Sequence, residues 1–316
     1  MRTILDIITP NNLVEEREKF LKSSTYNPVF RYKWTSQEVG EFAHKHSKYK
    51  KLVLAIEKQD TDTIVKEAEK VFETKIEQEY LVTAQNIISA HPDLPNQSVF
   101  VKDIIAEFQH VLNYFNLSYS FTVVPHAGFN FRPVYAKKKI LVNENTDFHL
   151  LSLDGSIKHE MTHILRYTNG KYNKISRSSN YLPTEEGLAC FMQDTYGEFG
   201  AASLFQHAAE YTVTEIGLKS SLRQMINYLC SIGFTKELAW QRAIRHKFGF
   251  IETSQPGDIM KPSMYFYTEQ KLKTLHIDDL LKLFNGKISL QEINKYQKYI
   301  GIVPQDKLIS YFSIKN

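Results

Sequence analysis

Only two cysteines, Cys190 and Cys230, occur in 316 residues. That excludes a disulfide framework and a four-cysteine zinc site, and it fits a reducing compartment. No apolar run of about eighteen residues exists, so no transmembrane helix is expected. Met1 to Lys19 alternates apolar and charged residues and lacks the core of a signal peptide. These absences predict a soluble, cytoplasmic protein without a membrane partner. A strong charge of either sign is also missing: the formal net charge is +4. Nothing in that balance asks for nucleic acid, although a mildly basic surface attracts acidic peptides. Repeats and low-complexity tracts are absent. What remains is globular in composition, 42% hydrophobic and 23% charged. It is long enough for one large domain or two smaller ones.

The chemistry gathers in His159-Glu160-Met161-Thr162-His163. The stretch from Ser152 to Thr168 reads as a helix. Ser152 or Asp154 can cap its start, and Asn169-Gly170 can end it. At about 100° per residue, Leu153, Ile157, Met161, Ile164 and Leu165 form one apolar stripe. His159, His163 and Arg166 fall roughly opposite. Histidines four apart stand one turn above the other, so both imidazoles reach one metal ion. Glu160 projects between the two faces, where it can act as general base toward water. Satisfied core histidines are the ordinary alternative, but these two lie away from the stripe.

Upstream, residues 11–95 read as mainly helical. Asn12 caps a helix through Phe20 and Leu21, which Asn27-Pro28 breaks. Thr35 or Ser36 starts another. Asp60 to Ser89 carries one long helical periodicity with a solvated charged face. His91-Pro92-Asp93-Leu94-Pro95 is the strongest punctuation in the chain. Val101 to Asn116 reads as a helix, after which the period changes. Ser118–Val124, Asn130–Tyr135 and Lys139–Asn143 are strand-like. Gly128 and Lys137-Lys138-Lys139 mark the connections. A small antiparallel or mixed sheet directly before the helix would support it, and its edge can bind extended peptide.

Two histidines need a third protein ligand, with a fourth position left open. Pro183-Thr184-Glu185-Glu186-Gly187-Leu188-Ala189 offers one. Thr184 can cap a helix running to about Tyr196, with Leu188, Phe191, Met192 and Thr195 on its apolar side. Glu186 lies roughly opposite, with Ala189, Cys190 and Gln193. Glu185 is turned about 100° away, so only one of the two points squarely at a metal. Glu186 is the expected ligand. The alternative is that both acids merely complement the helix dipole.

The two helices resemble those of the DUF1704 family, which includes tubulin tyrosine carboxypeptidases of the MATCAP type. The match runs through His159-Glu160, His163-Ile164-Leu165-Arg166-Tyr167, Asn169-Gly170 and Thr184 to Ala189. It extends to Phe20 and Asn27-Pro28-Val29-Phe30-Arg31-Tyr32. Downstream it takes in Arg242-Ala243-Ile244-Arg245, Pro256-Gly257, Lys261 and Tyr265, then Asn285-Gly286-Lys287-Ile288-Ser289-Leu290. The family typically has one more residue between the histidines, an acid where this chain has Pro262, and a basic-glycine pair after Arg245.

The expectation is therefore an α+β, zincin-like metallopeptidase, mainly helical. An N-terminal helical part would cover 1–95, and the catalytic domain 96–316. His159, His163 and Glu186 would hold Zn2+, with Glu160 as the general base. The resemblance implies a carboxypeptidase acting on a peptide or protein C-terminus and releasing Tyr or Phe. Holding a terminal carboxylate calls for Arg or Lys. Arg242, Arg245 and Lys261 are the candidates, with Arg132 a further one and Tyr265 a source of an oxyanion donor. The competing readings are a metal endopeptidase and a zinc-binding interaction or regulatory protein that hydrolyses nothing.

Overall fold

The structure, a computed structural model, describes residues 3–90, 100–125, 129–144 and 153–314. The Ser152 cap, the Gly128 connection and the His91 to Pro95 punctuation lie outside the described residues. The chain divides into two compact units. The first comprises Met1–Ala90 and His207–Tyr267, the second His91–Gln206 and Thr268–Asn316. The expected cut near residue 95 falls close to the first division. A single cut does not describe the units, because His207–Tyr267 joins the N-terminal segment.

The N-terminal segment holds α1 (Ile4–Ile8), α2 (Leu13–Lys22), α3 (Ser36–Lys45), α4 (Lys50–Lys58), α5 (Thr61–Phe72) and α6 (Gln78–Ser89). Asn12 stands at the start of α2, but its side chain does not cap it. It donates to Val29 O at 2.9 Å and accepts from Arg31 N at 2.9 Å. The early segment is thus pinned to α2. Thr35 caps α3 through a capping box with Glu38. The long periodicity from Asp60 to Ser89 is two helices. Glu73 takes a left-handed conformation, φ 47°, and ends α5. The solvent-side charge pattern continues across the break, so periodicity alone did not reveal it.

Next come α7 (Val101–Tyr114), β1 (Ser120–Val124), β2 (Phe131–Val134) and β3 (Lys139–Asn143), in the second unit. The sheet is mixed, in the order β1-β3-β2. β1 runs parallel to β3, and β2 antiparallel to it. Lys138, at φ 46°, makes the turn from β2 into β3. Beyond the sheet lie α8 (Leu153–Tyr172) and α9 (Tyr181–Tyr196). The remaining helices are α10 (Gly200–Gly217), α11 (Leu222–Ser231), α12 (Lys236–Ala243), α13 (Ser263–Leu272), α14 (Ile277–Lys282) and α15 (Gln305–Phe312). Two of the divisions between units fall inside α10 and α13.

One core in the second unit fixes α8. Ile157, Met161, Ile164 and Leu165 pack with Phe108 and Leu112 of α7, Ile140 and Val142 of β3, and Leu188 and Met192 of α9. The apolar stripe read from the sequence is the buried one. The opposite face of α8 is buried as well: Thr162, Arg166 and Asn169 have no exposed surface. Among the described residues, no helix is long and apolar enough to cross a membrane. The architecture is α+β: mainly helical, with one small mixed sheet.

Candidate metal centre

The local signals around the two helices differ from their expected use. Asn169 and Gly170 do not stop α8, which continues to Tyr172. Asn169 instead donates to Phe284 O and to the Tyr299 hydroxyl, both at 2.9 Å. Gly170 allows a close approach: a Cβ built there would lie 3.2 Å from the Gly286 Cα. Asp154 sits inside the first turn of α8, where its carboxylate meets Lys158 and accepts from the Glu198 backbone N. Thr184 does not cap α9, which starts three residues earlier at Tyr181. Its hydroxyl accepts from Leu290 N at 2.8 Å. Pro183 fits the first turn because its missing N–H would have no helical partner there. Leu188, Phe191 and Met192 are buried as expected, whereas Thr195 is exposed. In both motifs, residues that resembled helix boundaries serve contacts with the segment around 284–290.

Between α8 and α9 three candidate ligand side chains meet. The Nε2 atoms of His159 and His163 are 3.3 Å apart. The His163 Nε2 is 3.9 Å from a Glu186 carboxylate oxygen. One ligand atom from each of His159, His163 and Glu186 lies within 4.8 Å of the other two. The remaining ring nitrogens face hydrogen-bond acceptors. His159 Nδ1 is 3.0 Å from Gln193 Oε1, and His163 Nδ1 is 2.9 Å from Glu185 Oε1. Neighbouring glutamates therefore meet different atoms of one imidazole, as a rotation of about 100° per residue dictates.

Charges in this space are strongly coupled. Burial disfavours ionisation of Glu160, and Glu186 and Glu185 add to it against the pull of His163 and Lys287. The Glu160 carboxyl is raised to about 7. Burial opposes a charge on His163 too, but Glu185, Glu186 and Glu160 outweigh it and raise the imidazole. Glu185 goes the other way. Burial raises it, yet Arg166, Lys287 and His163 hold it far below the usual carboxylate range. Arg166 donates to Glu185 Oε2 at 2.6 Å, and Lys287 donates to Oε1.

Helix phase alone did not find Glu185's partners. Arg166 was visible only as a residue on the histidine face. Lys287 lies on no element adjacent in sequence. Gln193 lies on the face that helix phase assigns to Glu186, but phase does not reveal its contact with His159.

The four residues assigned to substrate belong to the first unit, whereas the histidines and glutamates belong to the second. Arg242 and Arg245 both donate to the buried Glu210, at 3.3 and 3.4 Å. Lys261 donates to the Tyr265 hydroxyl at 3.1 Å. The Arg245 guanidinium and Lys261 ammonium lie 5.9 and 5.3 Å from the Tyr265 ring centre. The structure gathers these four with one another. Arg132 is exposed on β2, 5.9 Å from the Phe129 ring.

No protein-family model matches the chain. Two curated proteins resemble it along nearly all its length. One is the microtubule-associated tyrosine carboxypeptidase 1 of Mus musculus, 27% identical over 94% of this chain. The other is the protein of the same name from Rattus norvegicus, 26% identical over 96%. The chain spans 62% and 64% of their respective lengths. The likeness reaches far beyond the two motif helices, so the chain resembles the MATCAP-type proteins along nearly its whole length.

Proposed function

We propose that the chain is a zincin-like, zinc-dependent carboxypeptidase that removes a C-terminal Tyr or Phe. The observation that supports this most is the convergence of His159, His163 and Glu186 donor atoms within 4.8 Å. Two imidazoles and one carboxylate are a donor set of catalytic zinc and leave a fourth position open. The residues present therefore fit the ion. Zinc held there supplies Lewis-acid polarisation and makes water more acidic.

The chain's own residues do the rest. Gln193 and Glu185 take the Nδ1 sides of the two imidazoles and leave Nε2 for the ion. Glu160 takes a proton from the attacking water and delivers it to the leaving amine. A carboxylate can serve both transfers, first as base and then as acid. The relatives' name supports tyrosine as the residue released. A terminal carboxylate asks for a charge-assisted partner. Arg242, Arg245 and Lys261 are proposed for it, with Tyr265 beside them, on the resemblance.

The test is mass spectrometry of a peptide ending in Tyr, offered as free acid and as C-terminal amide. Wild-type protein with zinc trims the acid by one residue and the amide far less. Glu160→Gln keeps zinc and fold but loses turnover by about 10²-fold or more, because the amide cannot accept a proton. Equal trimming of acid and amide would remove the carboxypeptidase reading, and internal cuts would make it an endopeptidase. Equal activity of wild type and Glu160→Gln would overturn the base.

A further inference from the structure

The segment Asn285-Gly286-Lys287-Ile288-Ser289-Leu290 has no part in the reaction as described, yet its contacts end at His163. Lys287 donates to Glu185 Oε1, the same oxygen that lies 2.9 Å from His163 Nδ1. Glu185 Oε2 accepts from Arg166 Nη1 at 2.6 Å. Arg166 is itself held by carbonyls: Nε meets Leu283 O at 2.9 Å and Gly286 O at 3.1 Å, and Nη2 meets Ile288 O at 2.7 Å. All four side chains are shut away from solvent, with exposures of 8% for His163, 3% for Glu185, 0% for Arg166 and 8% for Lys287. Gly286 brings this segment tightly against α8. A Cβ there would lie 3.1 Å from the Gly170 Cα.

We infer that Glu185, Arg166 and Lys287 are positioning residues that hold His163 in the tautomer with its hydrogen on Nδ1. The segment 285–290 is thereby a structural part of the metal site. This rests on the zinc reading above. The physical reason is an inventory of donors and acceptors. Arg166 and Lys287 can only donate, and an ionised carboxylate can only accept. With both cations on its oxygens, Glu185 acts as an acceptor toward Nδ1. A neutral imidazole has one hydrogen, so fixing it on Nδ1 leaves the Nε2 lone pair for the ion. Gln193 gives His159 a neutral acceptor at Nδ1, whereas the acceptor at His163 Nδ1 is a carboxylate with two cations on it.

The test uses the full chain and two readouts. One is zinc affinity by competition with a chromophoric chelator. The other is the His163 ring-nitrogen NMR pattern of metal-free protein, recorded at a pH high enough that the imidazole is neutral, which reports the tautomer. The charge-balanced variant Glu185→Gln with Lys287→Met is expected to bind zinc about 10–100-fold more weakly, and its His163 no longer holds the Nδ1–H tautomer alone. Lys287→Met alone weakens binding less, and Lys287→Arg restores a cation and recovers most of it. If the double variant fails to fold, the Met and Arg variants of Lys287 decide. Affinity within about twofold of wild type, with the tautomer unchanged in a folded variant, overturns the inference. Wild-type protein that binds no zinc overturns the metal reading instead, and the tautomer measurement still decides the positioning.

Discussion

Glu185 and Glu186 are chemically identical neighbours with different surroundings. Glu185 is buried among Arg166, Lys287 and His163, and Glu186 is half-buried near the His163 Nε2. Helix phase separates them in the sequence, because adjacent residues point about 100° apart. Phase says nothing of Lys287, which reaches Glu185 from another part of the chain. That is the limit of sequence at this scale: direction is local, but partners are not. Glu210 shows the same limit in the first unit. Burial works against its charge, but Arg245 and Arg242 prevail and lower its pKa from 4.5. A depressed carboxylate stabilises the fold above its unfolded pKa, and that stability is lost as pH falls through the folded value. Glu210→Gln is therefore expected to cost about 1–3 kcal/mol at pH 7. In denaturant unfolding, the gap to wild type should hold at neutral pH and close as pH drops below 4.5. A gap that does not change with pH would mean that the two arginines do not act on an ionised Glu210.

Helices were the most legible elements, because a buried stripe leaves a periodic mark. The stripes of α7 and α8 and the three strand segments lie where alternation and period place them. Boundaries were less legible. Asn169-Gly170 and Thr184 have the chemistry of helix ends but serve contacts with residues around 284–290. Gly187 makes a similar point with a measurable consequence. A Cβ built on it would lie 2.5 Å from Thr268 Cβ and Cγ2. Helix propensity alone favours Gly187→Ala by about 1 kcal/mol. The clash opposes this, and the variant is expected to lose about 1–3 kcal/mol overall by thermal or denaturant unfolding. A neutral or stabilised variant would contradict this packing of α9 on α13. Thr35→Ala tests a cap that the sequence did locate. Loss of the box with Glu38 should cost about 1 kcal/mol in unfolding experiments, and no loss would contradict it.

At the scale of the molecule, composition read the class and missed the division. Two compact units were within the range set by length. Proline punctuation lay near one boundary, but it could not show that His207–Tyr267 joins the first segment. Contacts between distant stretches leave no periodic signal, and a boundary inside a helix leaves no loop composition. The proposed zinc site was legible because its candidate ligands stand on two helices near in sequence. Its support was not, because Lys287 and the carbonyls around it come from the far end of the chain. Zinc should stabilise the folded protein by mass action, by about 2.7 kcal/mol at a free concentration 100 times its dissociation constant. Chelation should remove that gain in thermal unfolding.

The most direct measurement is anomalous diffraction at the zinc edge from crystals of the zinc-loaded chain. One peak is expected between α8 and α9, about 2.0–2.2 Å from His159 Nε2, His163 Nε2 and a Glu186 oxygen. No peak at that position, or a peak bound by Glu185 in place of Glu186, would contradict it.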